Sequence, residues 1–264
     1  MRPAILGASI ILVLFGVVNA QARTWRVNTM GTGDAPTLYA AMDSATAGDE
    51  VLVEAGEYPL AETLYVPEQV HLTGESGPAH TILYRTGLFP ISTLYLRAGS
   101  KVTGVQVRGY AQALVSIQGG GIVIQECIIN PDPDNSPVGG SYQPTLYNCL
   151  ITGGVVHVVA TYVSCILMSK LQSDAVGSQL FFCDVLGSVD PAIDASASNL
   201  NFSLDPEFCG VEGSGNYFLR STSPCLGENN PFGPGIGLVG PLPMGCGAVK
   251  TETRTWGGVK ALYR

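Results

Sequence analysis

Carboxylates carry most chemistry on polar polymeric substrates, and the stretch from Lys101 to Ser188 holds few of them: Glu126, Asp132, Asp134, Asp174 and Asp184. Elimination beside a uronate carboxylate needs several acids converging on calcium next to an Arg or Lys base. Splitting a glycosidic bond needs two acids about 5–10 Å apart. Asp132 and Asp134 share the loop Asn130–Pro137, but a run of Pro and Asp reads first as a solvated turn. His71, His80 and His157 are scattered and show no metal-ligand spacing. No Ser sits in Gly-x-Ser-x-Gly, and no glycine loop leads into a helix that would hold phosphate. No catalytic residue, metal ligand or cofactor is therefore expected; calcium enters only if the protein is an enzyme.

The elements that would position any such group are set by one six-residue pattern, which occurs five times: Val102–Val107, Ile124–Ile129, Leu146–Ile151, Tyr162–Leu167 and Leu180–Val185. Its fourth positions, Val105, Cys127, Cys149, Cys165 and Cys183, are 22, 22, 16 and 18 residues apart, the scale of a solenoid turn. The first, fourth and sixth positions are apolar. Burying the fourth and sixth fits the alternation of a strand. Burying the first as well demands a corner between them, at Gly104, Glu126, Asn148, Ser164 or Phe182. Gly and Asn tolerate the left-handed conformation such a corner needs. Short strand, corner, short strand predicts a parallel β-helix whose turns stack about 4.8 Å apart.

That winding sorts the remaining side chains. The four cysteines of the pattern occupy one inward slot on successive turns, too far apart for bridges, and are expected to be a ladder of buried thiols. Outward, the fifth position reads Gln106, Ile128, Leu150, Ile166, Asp184, and two residues further on come Arg108, Asn130, Thr152, Met168 and Leu186. Ile128, Leu150, Ile166 and Met168 thus form an apolar stripe that is either a partner surface or a covered one. The expected cover is the C-terminal segment Trp256–Tyr263. Aromatic sugar platforms compete for such a face, with Tyr84, Tyr95 and Tyr110 nearby.

Residues 1–22 read as a signal peptide: Arg2, an apolar run from Ile5 to Val18, and the small-residue site Ala20-Gln-Ala22. The mature chain has no further candidate span, so the protein is expected outside the cytoplasm, in periplasm, at the cell surface or in the medium. The chain carries a net charge of −8 without a Lys/Arg cluster, which argues against a nucleic-acid partner. Residues 23–227 are expected to form the β-helix domain, and the Gly- and Pro-rich residues 228–264 a loop-rich C-terminal cap and tail. Near the start, Leu38, Ala41, Met42 and Ala45 fall on one helical face behind Thr37 as N-cap, a lid for the first coil.

The run Ala35-Pro-Thr-Leu, Ala-Gly-Asp-Glu-Val-Leu-Val53, Gly56-Glu-Tyr58 and Val70-His-Leu-Thr-Gly-Glu75 resembles the opening of pectin-lyase-like right-handed parallel β-helix proteins, most of all secreted bacterial β-helix repeat proteins. The resemblance extends through the repeats to Leu204-Asp-Pro-Glu-Phe-Cys209, Asn216–Leu219, Ser223-Pro-Cys225 and Gly245-Cys246. It implies an all-β fold of about seven turns with an N-terminal capping helix. It also implies a C-terminal segment that closes the last coil, with a Cys209–Cys225 disulfide and Cys246 unpaired. The Asp-bearing strand and Arg-Pro-Trp of the related esterases are missing, as are the Asn-Thr-Asp, Asp-Asp and Gly-His-Gly elements of polygalacturonases. A noncatalytic, monomeric surface or envelope protein that offers a rigid lateral face to polysaccharide or to envelope protein is the expected function. A polysaccharide lyase, glycoside hydrolase or esterase is the alternative.

Overall fold

The computed structural model describes residues 21–86, 92–109, 112–131, 135–210 and 215–246. The signal segment therefore lies essentially outside the described residues, and Tyr110, Asp132, Asp134 and Trp256–Tyr263 lie outside them entirely. Three parallel sheets run along one axis. The first has eight strands, from Thr24–Val27 to Gln179–Phe181, and the second seven, from Gly56–Leu60 to Asp184–Val185. The third has four, from Leu64–Val66 to Ser136–Gly140. All three are parallel, as a coil that returns to the same side after each turn requires. This is an all-β parallel β-helix of about ten turns, where about seven were expected.

The corner lies where the side-chain pattern put it. Gly104, Glu126, Asn148, Ser164 and Phe182 all have φ between 47° and 65°. A residue with a Cβ is strained there by about 1–2 kcal/mol, a cost offset because the bend turns both flanking apolar positions inward. Each corner amide also donates to the next coil: Glu126 N to Tyr147 O at 2.9 Å, Asn148 N to Val163 O at 3.0 Å, Ser164 N to Phe181 O at 2.9 Å. Leu200 has φ 58° and continues the series. It belongs to a sixth copy, hidden in the sequence because the inward slot is Asn201. That buried amide accepts from Cys183 N at 3.0 Å and donates to Leu180 O at 2.9 Å, so a polar group ends the thiol column without an unmet bond.

The column itself consists of free, buried thiols at Cys127, Cys149, Cys165 and Cys183. Each donates to the carbonyl two residues before it, at 3.1 to 3.4 Å. Burial pushes Cys127 up to about 12 and Cys165 and Cys183 well above the usual thiol range, so they are inert filler. Beside them Leu146, Tyr162 and Leu180 stack in register. At the N-terminal end the helix Leu38–Ser44, capped by the Thr37 hydroxyl, buries Leu38, Ala41 and Met42 over the first coil. Beyond Gly140 the third side continues only as the two-residue strands Val155–Val156 and Lys170–Leu171, which accounts for the drop in repeat length from 22 to 16 residues.

Candidate functional site

The outward surface of the second sheet is built from two columns of side chains. One runs Glu57, Ile82, Gln106, Ile128, Leu150, Ile166, Asp184 and Phe202; the other runs Pro59, Tyr84, Arg108 and Asn130 and continues through Thr152. Along its lower half the first column is not exposed. Ile128, Leu150 and Ile166 are buried in a cluster with Leu219, Cys225, Leu226, Val239 and Leu242, with Met168, Phe202 and Tyr217 packed against it. The described residues 205–210 and 215–242 therefore form a strap across the sheet. The apolar stripe is covered, but by this strap; the expected cover, Trp256–Tyr263, lies outside the described residues.

The strap rests on the sheet through particular contacts. Gly240 N donates to Ser164 O at 2.8 Å. Gly240 has φ 92°, and a Cβ there would come within 2.6 Å of Ile166 Cδ1, so only glycine lets the chain lie this close. On the fifth copy of the repeat, Asp184 is fully buried, accepting from Leu204 N at 3.0 Å and from the Cys225 thiol at 3.3 Å. Burial drives its carboxyl up to about 6, and burial together with the neighbouring carboxylate pushes the Cys225 thiol far up. Inaccessible under the strap, Asp184 cannot meet a substrate.

Above the strap the second column, Pro59, Tyr84, Arg108, Asn130 and Thr152, is exposed or half-buried among the described residues. Arg108 and Glu57 are paired at 2.9 Å, both substantially exposed, and the guanidinium lies 5.5 Å from the centre of the Tyr84 ring. Next along the column, Thr152 Oγ1 donates to Asn130 Oδ1 at 2.8 Å and Asn130 Nδ2 donates to Tyr217 Oη at 3.2 Å. Tyr217 comes from the strap, is held edge-on by Phe208 at 5.5 Å, and walls the lower end of the row. At the upper end Glu57 lines a cleft of about 210 Å³ with Asn28, Thr29, Thr37 and Tyr39. The result is a strip in which two tyrosines, one of them beneath the Arg108 guanidinium, one carboxylate and several hydroxyl and amide groups lie side by side. Such a strip suits a polyhydroxylated ligand, since it offers donors, acceptors and amphipathic aromatic side chains without a concentrated charge.

The other sequence candidates are dispersed. Tyr95 is half-buried on the third sheet beside Tyr65, with ring centres 5.2 Å apart, away from the strip. Glu126 sits at a corner and accepts from Gln125 Nε2. Asp174 and His157 meet at 3.1 Å on the exposed surface, and His71 and His80 are exposed. Among the described residues no three His, Cys, Asp or Glu side chains converge as a metal site would require. Glu57, Asn130, Thr152 and Tyr217 were not singled out as binding residues by the sequence. The alternation of the second-sheet strand Gly56–Leu60 puts Glu57 outward, but nothing local marks Tyr217 as the neighbour of Asn130.

The disulfide is not the expected Cys209–Cys225. Cys209 is bridged to Cys246, with Cα atoms 5.9 Å apart, and Cys225 is free and buried. The reason lies in the strap's small sheet: Leu219–Arg220 pairs with Met244–Cys246 on one side and meets Phe208 on the other, which brings 209 and 246 together. Cys225 instead turns inward to Asp184. A closed loop of 37 residues' separation contributes on the order of 4 kcal/mol, chiefly by restricting the unfolded chain.

Fold and surface together define a parallel β-helix with a disulfide-closed strap over half of one lateral face and an open polar and aromatic strip on the other half. No protein-family model matches the chain, and no curated protein sequence is significantly similar to it.

Proposed function

We propose that this is a secreted, noncatalytic β-helix protein of the pectin-lyase-like type, acting at the cell surface or in the envelope, and that its open second-sheet strip binds polysaccharide. The observation that carries this reading is the row Glu57, Tyr84, Arg108, Asn130 and Tyr217, exposed at Glu57 and half-buried at the others, on a sheet whose spacing the stacked coils set. A preorganised row loses little entropy on binding an extended chain. The disulfide is compatible with an oxidising compartment, and no described helix is long and apolar enough to cross a membrane. The protein acts as a monomer in this reading, since the strap already covers the apolar stripe that would otherwise seek a partner.

The test is calorimetric titration of the mature chain with acidic and neutral polysaccharides, together with an ultraviolet assay for unsaturated product in the presence of calcium. Binding without turnover is expected. Tyr84→Ala and Arg108→Ala should each weaken binding about tenfold, the loss of roughly 1.4 kcal/mol that one stacking or charge-assisted contact supplies, with the thermal midpoint little changed. Turnover, or binding that both variants leave intact, would refute the reading.

A further inference from the structure

Asp49 lies in the turn between the capping helix and the strand Glu50–Val53, a buried carboxylate among neutral donors. It is 6% exposed. Its Oδ2 accepts from Thr46 N at 2.9 Å, Thr46 Oγ1 at 3.1 Å and Trp25 Nε1 at 3.3 Å, and its Oδ1 accepts from Arg23 N at 2.8 Å. Four donors favour the ionised form, and the Thr46 and Arg23 amides above all hold the carboxyl below its usual range. A buried carboxylate gains most from a cation, yet Asp49 takes part in none of the ion pairs among the described residues. The Arg23 guanidinium lies 3.6 Å over the Trp25 ring instead. Of the other titratable groups around it, the Glu50 carboxylate accepts from Thr73 Oγ1, His71 meets Asp49 through its backbone, N donating to Asp49 O at 3.0 Å, and Asp43 on the capping helix is exposed.

The missing charge is one peptide bond away. Ala20-Gln-Ala22 is the small-residue site of the signal segment, and a cut after Ala22 turns the Arg23 amide into an α-ammonium. We propose that this cut makes Arg23 the first residue of the mature protein, and that its α-ammonium, seated on Asp49 Oδ1, clasps the first strand to the turn behind the capping helix. Hydrolysis adds one water across the Ala22–Arg23 bond: Ala22 leaves as a carboxylate and Arg23 N takes up the protons of an ammonium. The inference rests on reading residues 1–22 as a signal. Position 23 is where the chain becomes fixed, since Arg23 O accepts from Glu50 N at 2.8 Å and strand pairing starts at Thr24. Gln21 and Ala22, by contrast, are exposed and outside any strand. An ammonium paired with a carboxylate in the folded protein titrates above its unfolded value of about 8. The clasp is therefore fully present below about pH 8 and is lost as pH rises through the higher folded value.

Two versions of the mature chain, beginning at Arg23 and at Ala20, test it, because both carry one α-ammonium and the same net charge and differ only in where the ammonium sits. In urea unfolding, the folding constant of the Arg23 chain relative to the Ala20 chain should fall about tenfold between pH 6 and pH 10, the value that raising one pKa from about 8 to about 9 implies. With Asp49→Asn in both chains the ratio should not change with pH. Should that variant fail to fold, titration of the α-amine itself, read by reductive methylation of the two folded wild-type chains, decides: it should be more basic in the Arg23 chain. The intact mass of protein exported by a bacterial host that expresses residues 1–264 should correspond to a chain beginning at Arg23. A chain left uncut would refute the secreted reading itself. A chain cut elsewhere, a ratio that stays flat with pH, or an α-amine no more basic in one chain than in the other would overturn this proposal alone.

Discussion

Replacing Tyr162 with alanine will lower the unfolding free energy by about 3–5 kcal/mol, the cost of emptying a large, fully buried aromatic site. Tyr162 has no exposed surface and is stacked between Leu146 and Leu180 on the axis of the helix, so the cavity would open in the contact between three successive coils. In a stack each coil touches only its neighbours. Loss at one level uncouples what lies beyond it, and exchange protection should fall first in coils C-terminal to 162. Phenylalanine provides the control. The Tyr162 hydroxyl is buried without a hydrogen-bond partner, and burial pushes its pKa far up, so Tyr162→Phe removes an unmet polar group and should be neutral or slightly stabilising. Urea denaturation of the two variants measures both outcomes; similar losses for Ala and Phe would mean that the ring is not packed as described.

Leu150→Asp should be as severe by a different route. Leu150 is fully buried between sheet and strap, flanked by Ile128 and Ile166. A carboxylate there has no donor waiting for it, and an uncompensated buried charge costs about 3–5 kcal/mol. The strap is expected to detach rather than the coil to unwind, because Leu150 points away from the helix interior. The denaturant m-value should fall as apolar surface is exposed before unfolding, and peptides from 215–242 should lose protection while the first sheet keeps it. Asp184 shows what the same column demands of an acid that is tolerated: two donors, one of them from the strap, and a carboxyl driven up to about 6. Equal loss of protection in strap and coils would contradict the account.

What the sequence revealed follows from repetition. Five copies of an apolar slot three residues after another apolar slot leave little choice but a corner, and all five corner residues are left-handed. The N-terminal lid was equally visible, since Thr37 and the spacing of Leu38, Ala41 and Met42 are local signals. The sixth coil was missed because Asn201 satisfies its slot through hydrogen bonds rather than apolar character. Ile128, Leu150 and Ile166 announced a face that needed covering, but not by what. The strap lacks periodicity, and its apolar contacts at Leu219, Leu226, Val239 and Leu242 are spread among Gly and Pro. The disulfide was misassigned for the same reason. Which of Cys225 and Cys246 reaches Cys209 depends on a strand pairing between 219–220 and 244–246 that no sequence spacing encodes.

Cross-linking strap to sheet tests the arrangement most directly. Asp184 on the sheet and Cys225 on the strap face each other, with Cys225 Sγ 3.3 Å from Asp184 Oδ2, so a thiol at 184 would be within a disulfide's reach of Cys225. Asp184→Cys should bridge to Cys225 under mild oxidation and yield one linked peptide pair after digestion. Recovery of 184 and 225 as separate reduced peptides, from a protein whose coils remain protected, would show that the strap does not lie on the second sheet.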